Sequence, residues 1–357
     1  MYFSGTYFHN FRNIGAERRK WPPGFNMISG PNGSGKTNFV EGLNILSGWG
    51  PLEKNTRIAN LIRWGEKEEE LKTSLWGRVD GEESAEVFVS MRTRCQLKCD
   101  GKTIGAAEMR RKIPVLAFLP GHMSMIGGGA SYRRRLLDIT GALVYMEYAR
   151  ILHDYSTALR QKAVMLKHRR DTKAADRILA QLGSWLWESR GEILKMIASE
   201  IKRFVPLLHG KVDFFFVRGG GGFDEVPSED FRKSLATAYD RETRSGIPLV
   251  GPQRDDIRID CGGIGASVAL SRGQSRKLAA ALILASAKVV ERCLSRKPVL
   301  LFDEIYSELD TEGRDYVMEA LVSTGCQVFA TTAEASPRDG LDIFKMRDGR
   351  FLRYEAR

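Results

Sequence analysis

Residues 30–37 read Gly30-Pro31-Asn32-Gly33-Ser34-Gly35-Lys36-Thr37, a complete match to the pattern G-x-x-x-x-G-K-[ST]. The flanks are the ones this loop requires. The apolar run Phe25–Ser29 stands before it and the helix-compatible stretch TNFVEGLNIL follows, so the chain should pass from strand through loop into helix. Glycines allow the loop's backbone N–H groups to wrap phosphates without Cβ clashes. Lys36 places a cation against the β and γ phosphates, and the Thr37 hydroxyl can ligate Mg²⁺. A strand–loop–helix of this kind commits the chain to an α/β architecture.

A second motif supplies the acids. Val299 to Phe302 are four apolar residues followed by Asp303 and Glu304. This is the signature of a buried parallel strand that delivers carboxylates at its C-terminal edge, where α/β proteins bind ligands. Asp303 is expected to enter the Mg²⁺ shell with Thr37, and Glu304 to orient or deprotonate the attacking water, so the catalytic set is Lys36, Asp303 and Glu304. Further strands are expected over Tyr2–Phe8, Leu71–Val79, Glu86–Thr93, Val115–Leu119, Lys211–Val217, Ile257–Cys261 and Gln327–Thr331, with helices after Lys36, Gly273 and Asp310. Leu270-Ser271-Arg272-Gly273-Gln274 precedes the long helical stretch SRKLAAALILASAKVVE. Ser271, Gly273 and the helix N-terminus would make a second anion site there, and the plain alternative is an N-cap.

Charge is concentrated in the middle of the chain. Lys and Arg number 55 against 44 Asp and Glu, a net of +11, and residues 133–203 hold 15 bases and 8 acids, which is +7 of it. Within that segment Tyr145, Tyr148, Leu152, Tyr155, Leu159 and Leu166 recur at helical spacing. A second series runs through Leu179, Leu182, Leu186, Ile193, Ile197, Ile201 and Phe204. With the polar run 168–176 between them they predict an antiparallel helical hairpin about 35–40 Å long. Its basic face is either a solvated helix surface or a track for nucleic acid. The run Gly219–Gly222 and the PSED after Val226 read as a flexible connection. Cys95 and Cys99 lack a second ligand pair at zinc spacing and read as strand residues, and the odd count of 5 cysteines fits reduced thiols. With no long apolar span and no secretory-type start, a cytoplasmic protein is expected.

These motifs together resemble the RecF family, in the SMC-like branch of ATP-binding-cassette proteins. The resemblance rests on Asn10-Phe11-Arg12-Asn13, the phosphate loop, Tyr132-Arg133-Arg134-Arg135, residues 251–256 (GPQRDD), LSRGQ at 270–274 as the family's signature, and residues 303–310 (DEIYSELD) with the family's D-loop. It implies an ATPase head in two parts, residues 1–138 and 246–357, with an inserted helical arm over residues 139–245. It also implies nucleotide contacts from Arg12 and Asp310, and a Ser271 site that closes over ATP held by another copy of the chain. The activity implied is a weak, DNA-stimulated ATPase with ATP and Mg²⁺ as cofactors. The partners implied are double-stranded DNA near single-strand gaps, a second copy in an ATP-dependent homodimer, and RecR and RecO, which load RecA. Arg133, Arg134, Arg135, Lys167, Arg169 and Arg170 are the candidate DNA contacts. The chain departs from the family pattern at Pro120-Gly121-His122-Met123, where an acidic Pro-Glu-Asp-Leu is usual. It departs again at Gln253, usually His, and at Asp303-Glu304, usually Asp-Asp. No switch histidine follows the strand at Gln327–Thr331, which leaves Thr331 or Thr332 for that place. A longer-armed SMC-like protein or a transporter's nucleotide-binding subunit would share the head motifs. The short arm disfavours the first and the basic hairpin the second.

Overall fold

The computed structural model describes residues 1–52, 56–63, 72–82, 84–119, 124–333 and 342–352; the departure at Pro120–Met123 lies outside them. The chain forms two compact units, Met1–Gly121 with Val290–Arg357, and His122–Val289. The expected divisions after Asp138 and Ser245 fall inside the second of these. Elements are numbered in chain order.

The first unit is built on two six-stranded sheets. One is antiparallel, in the order β2 (Ile14–Lys20), β1 (Tyr2–Phe11), β4 (Thr73–Asp80), β5 (Ala85–Met91), β6 (Cys95–Cys99), β7 (Lys102–Thr103). The other has the order β15 (Arg350–Phe351), β14 (Asp342–Arg347), β3 (Phe25–Ser29), β13 (Val328–Thr332), β12 (Val299–Phe302), β8 (Val115–Phe118), and from β14 to β8 every pairing is parallel. All residues of β3, β12 and β13 are buried, as predominantly apolar strands with both faces covered must be. Helix α1 (Lys36–Leu46) touches strands of both sheets and is buried almost all round, the mark of a helix sandwiched in a core. Its Phe39 stacks on Phe8 at 5.0 Å and meets Trp21 and Phe351 at 5.1 Å each. Gly42 is required by this packing, since a Cβ there would lie 2.3 Å from the Phe8 ring. Short α2 (Ala106–Lys112) precedes β8, and α10 (Thr311–Ser323) joins β12 to β13.

The second unit contains α3 (Ser124–Gly127), α4 (Ala130–Val144), α5 (Tyr148–Lys167), α6 (Lys173–Glu200), α7 (Pro227–Ser245), α8 (Ala266–Ala269) and most of α9 (Arg272–Leu294). Beside these lies a three-stranded antiparallel sheet, β11 (Ile264–Gly265), β10 (Asp256–Cys261), β9 (Val212–Val217). The predicted hairpin is α5 and α6. Tyr148 meets Trp185 near one end of the pair and Lys162 meets Asp176 near the other, so the helices run antiparallel. At 1.5 Å per residue their 20 and 28 residues make rods of about 30 and 42 Å. The connection is shorter than expected because α6 already begins at Lys173.

Two expectations are corrected here. The sequence PSED is the first turn of α7, with Pro227 at its start and Glu229 and Asp230 near its positive end. The glycine run is likewise fixed: Gly219 N–H donates to Asp255 (2.8 Å), and the N–H groups of Gly222 and Phe223 donate to the buried Asp230. A Cβ on Gly219 would stand 2.5 Å from the Gly251 carbonyl oxygen, so the run is closely packed backbone.

Buried charge ties this unit together. Arg190 of α6 bonds Asp138 of α4 (2.8 Å), Asp255 ahead of β10 (2.6 Å) and the Pro252 carbonyl (2.6 Å). Burial pushes the Asp255 carboxyl up from its ordinary range, against the pull of Arg190, the Gly219 N–H and the Trp187 indole N–H. Lys162 is buried between Asp176 and Glu242, joining α5, α6 and α7. Removing one member of such a set leaves its partners charged and dry. Arg190→Met should therefore lower the unfolding free energy of this unit by about 3–5 kcal/mol in guanidinium titration. The loss should shrink when Asp255→Asn and Asp138→Asn are added; a loss under about 1 kcal/mol would class the cluster with surface pairs.

Candidate active site

Gly30 to Gly35 leave β3 and lead into the N-terminus of α1. Gly33 and Gly35 hold φ of 79° and 106°, values a side chain resists. At Gly30 the constraint is contact, because a Cβ would lie 2.1 Å from the Met346 carbonyl oxygen. Ser34 is buried and its N–H returns to the Pro31 carbonyl at 3.2 Å. Its Oγ is one of the few buried side-chain oxygens without a hydrogen bond. Lys36 curls back so that Nζ donates to the carbonyls of Gly30 (2.7 Å) and Pro31 (3.0 Å). Burial lowers its pKa, and the carboxylates of Asp303 and Glu304 oppose the shift. A dry ammonium held only by carbonyls, an unsatisfied hydroxyl and a helix N-terminus form a cradle for phosphate. The residues present fit ATP.

The acids arrive on β12. Asp303 follows its last residue and is buried, while Glu304 is exposed and held at φ 51°. Thr37 Oγ1 lies 2.9 and 3.1 Å from the Asp303 oxygens. A hydroxyl beside a carboxylate is a donor pair for Mg²⁺, which would complete its octahedron from phosphate and water. Thr331 on β13 ties the two acids together: its hydroxyl donates to Asp303 Oδ1 (2.6 Å) and accepts the Glu304 N–H (2.9 Å). Of the two threonines the sequence left open, it is Thr331 that touches the acids.

Two adjoining cavities flank the loop. One, of about 190 Å³, is lined by Asn32, Gly33, Gly35, Lys36, Thr37, Asn38 and Glu304. The other, of about 450 Å³, shares Gly33 and Asn38 and adds Arg12, Asn13, Asn60 and Arg63. Arg12 lines it with its guanidinium fixed by both Glu41 oxygens (2.8 and 3.1 Å). A phosphate cradle opening onto a cavity walled by a fixed planar cation suits a nucleotide.

The remaining candidates lie as follows. Asp310 caps α10, accepting the Gly313 N–H at 2.8 Å. Ser271 and Gln274 form a reciprocal capping box at the start of α9, and Gly273 lies on that first turn. The cap uses Ser271 Oγ as acceptor, so its hydroxyl hydrogen can still be donated. Gln253 accepts from the Tyr155 hydroxyl. Arg133 and Arg134 do not present an open basic face: Arg133 is bidentate to Asp256 (2.6 and 2.9 Å) and Arg134 donates to the Asp255 carbonyl (2.6 Å). Arg135 is half-buried, and Lys167, Arg169 and Arg170 stand exposed at the tip of the hairpin.

Sequence reasoning missed three supports of the site. Asn13 bonds the Gly33 carbonyl (3.2 Å) and Asn38 (2.9 Å), and Glu41 steadies Arg12. The third is the turn between β14 and β15, where the Gly349 N–H donates to the Ser34 carbonyl at 2.8 Å. Asp348 and Gly349 both have positive φ, and that Asp-Gly pair was a legible hairpin signal.

Residues 4–339 match the family model for the RecF/RecN/SMC N terminal domain. The DNA replication and repair protein RecF of Geobacter sp. (strain M21) is 30% identical over 359 residues, covering 97% of this chain and 95% of that protein. The chain belongs to the RecF family. RecF of Thermoanaerobacter sp. (strain X514) is 27% identical across 98% of this chain and 99% of its own length. Among solved structures, the recombination mediator protein RecF-ATPrS in the RecFOR pathway superposes with a TM-score of 0.87 at 24% identity, over 98% of this chain and 97% of that one. An Smc head bound to the C-winged helix domain of ScpA gives 0.56 at 17% identity, over 98% and 96%. The fold is thus the mixed α/β head shared by RecF and SMC proteins.

Thr331 gives the site its first test. Outer partners that orient metal-binding carboxylates typically contribute 10–100-fold to metal affinity. Thr331→Val should raise the Mg²⁺ needed for half-maximal binding of a fluorescent ATP analogue by about 10-fold or more, while Thr331→Ser stays near wild type. An unchanged Mg²⁺ requirement in the valine variant would show that Thr331 does not orient Asp303.

Proposed function

We propose that this chain is an ATP-dependent DNA-binding protein of recombinational gap repair. It hydrolyses ATP slowly as a switch, dimerises when ATP is bound, and holds double-stranded DNA beside single-strand gaps. There it acts with RecR and RecO in loading RecA. The observation that carries the reading is the junction of Lys36, Thr37 and Glu304 around one cavity at the head of α1, with Asp303 bonded to Thr37 beside it. The relatives, DNA replication and repair proteins RecF, and a solved recombination mediator RecF-ATP in the RecFOR pathway support it.

The roles follow from chemistry. Gly30, Pro31, Asn32, Gly33, Ser34 and Gly35 surround the phosphates with backbone and small side chains, and Lys36 turns from its carbonyls to them. Thr37 and Asp303 hold Mg²⁺, which when bound neutralises phosphate charge. Glu304 orients or deprotonates water, held in place through Thr331. Arg12 serves the nucleoside side. From a second copy, Ser271, Gly273 and Gln274 would close over the phosphates with the α9 N-terminus, and Asp310 would face the same junction.

For DNA, the exposed tip is the favoured contact. Lys167, Arg169 and Arg170 cluster there, and Arg169 holds φ 50° at a helix end where glycine is the usual choice. The N–H of Arg170 closes that end on the Met165 carbonyl at 2.9 Å, projecting the basic residues together. A bulky residue kept in a conformation it disfavours points to a use for its side chain. With phosphate contacts dominating, binding should tolerate sequence.

Glu304→Gln keeps the loop and both metal donors but removes the base, so ATP should trap a long-lived dimer on gapped DNA. Dimer lifetime after an ATP chase measures this, and dissociation as fast as wild type would remove Glu304 from the catalytic role. For the arm, each phosphate contact contributes about 0.9 to the slope of log K against log salt. The triple variant K167Q/R169Q/R170Q should flatten that slope by roughly 2–3 per chain bound. An unaltered slope would place the DNA contacts away from the tip.

A further inference from the structure

A cavity of about 760 Å³ in the second unit plays no part in the functions above. One wall is a stripe of α6, Trp187, Gly191, Leu194 and Ala198, at helical spacing. The other is β9, which contributes Phe214, Phe215, Phe216 and Val217 in succession. Successive residues of a strand point to opposite faces, so a groove lined by four in a row runs along the strand's edge. Among the described residues β9 pairs only with β10, which leaves that edge open. Of the α6 stripe Trp187 and Leu194 are already buried, while Gly191 and Ala198 remain part-exposed beside the part-exposed Phe214 and Phe216. Phe215 and Val217 remain 44% exposed each.

The lips of the groove are acidic in an otherwise basic protein. Glu188 and Glu192 stand exposed on α6, and Glu225 is exposed on the opposite lip. Lys195 is the one lining base that is exposed. The other, Arg218, is held by Asp230 (2.8 Å) and by the carbonyls of Asp224 and Glu225 (2.9 Å each). Such lips repel DNA phosphates. They also disfavour a second copy of this chain, because pairing β9 with its own twin would bring two acidic rims together.

We propose that this groove is a docking site for an extended segment of another protein, rich in alternating apolar and Lys/Arg residues, which adds to the sheet as a fourth strand beside β9. The inference goes beyond the proposed function. Main-chain hydrogen bonds along the 6-residue edge would provide affinity. Alternate apolar side chains would cover the part-exposed Gly191, Ala198, Phe214 and Phe216, and the intervening cations would meet the acidic lips.

The test uses fluorescence anisotropy with the full chain and a labelled octapeptide, acetyl-Lys-Val-Lys-Phe-Lys-Val-Lys-Val-amide. Two comparison peptides carry Glu in place of every Lys, or Pro in place of the central residues. The basic peptide should bind at least tenfold more tightly than either. In the E188K/E225K variant, with both substitutions at exposed positions, the preference between Lys and Glu peptides should reverse with the thermal midpoint unchanged. Equal binding of the three peptides, or a preference that survives the charge reversal, would overturn the proposal. So would nucleotide-independent self-association abolished by E188K/E225K, which would assign the groove to a second copy. Displacement of the peptide by duplex DNA would likewise overturn it.

Discussion

Thr37, Asp303 and Thr331 meet because β3, β12 and β13 run parallel in one sheet and end at the same edge. Strands buried on both faces carry few polar side chains, and those they do carry, such as Asn26 in β3, must find hydrogen-bond partners. Polar chemistry therefore gathers just beyond their C-terminal ends, where the backbone turns away. The phosphate loop follows β3, both acids follow β12, and Thr331 lies one residue from the end of β13. The phosphate and metal side of the site in the first unit hangs on this shared edge, while Arg12 comes from the turn between β1 and β2.

That edge was legible in the sequence for the same reason that it exists. Continuous apolar runs such as Phe25–Ser29 and Val299–Phe302 are distinctive, and the residues after them are conspicuous by contrast. The reading failed where inner faces are polar. Helix α7 buries Asp230 and Glu242, which answer Arg218 and Lys162, so its inward stripe does not look like one. Strand β2 buries only Ile14 of its seven residues; it is a strand because β1 offers a partner, which a local pattern does not report. The signature motif was readable as a helix cap, and Ser271 and Gln274 do form that capping box.

Charge arithmetic along the hairpin region was right in sum and uneven in meaning. Arg133, Arg190 and Lys162 all belong to the basic excess of residues 133–203, yet each faces carboxylates inside the second unit. Solvent meets Lys167, Arg169, Arg170, Lys173 and Arg177 around the connection between α5 and α6, and Arg150, Arg160, Lys195, Lys202 and Arg203 elsewhere in the segment. Buried ion pairs of this sort contribute little net stability over apolar residues of the same shape, yet the cost of mispairing them makes the arrangement hard to replace with another.

The Gly349 contact with Ser34 has a consequence for how the protein is made. The phosphate loop is synthesised well before the turn that braces it, with the whole second unit between them. Phe3, too, exchanges hydrogen bonds with Gln327, 324 positions away. The second unit, contiguous over His122–Val289, holds its partners within its own span and can close while the chain is still emerging. The first unit must hold β1 and β3 without partners such as Gln327 and β14 while the second unit is synthesised between them, and contacts of such separation put it at the slow end of the range that contact order predicts. The second unit can thus be finished while the phosphate loop still waits for its brace, so the nucleotide site closes after it.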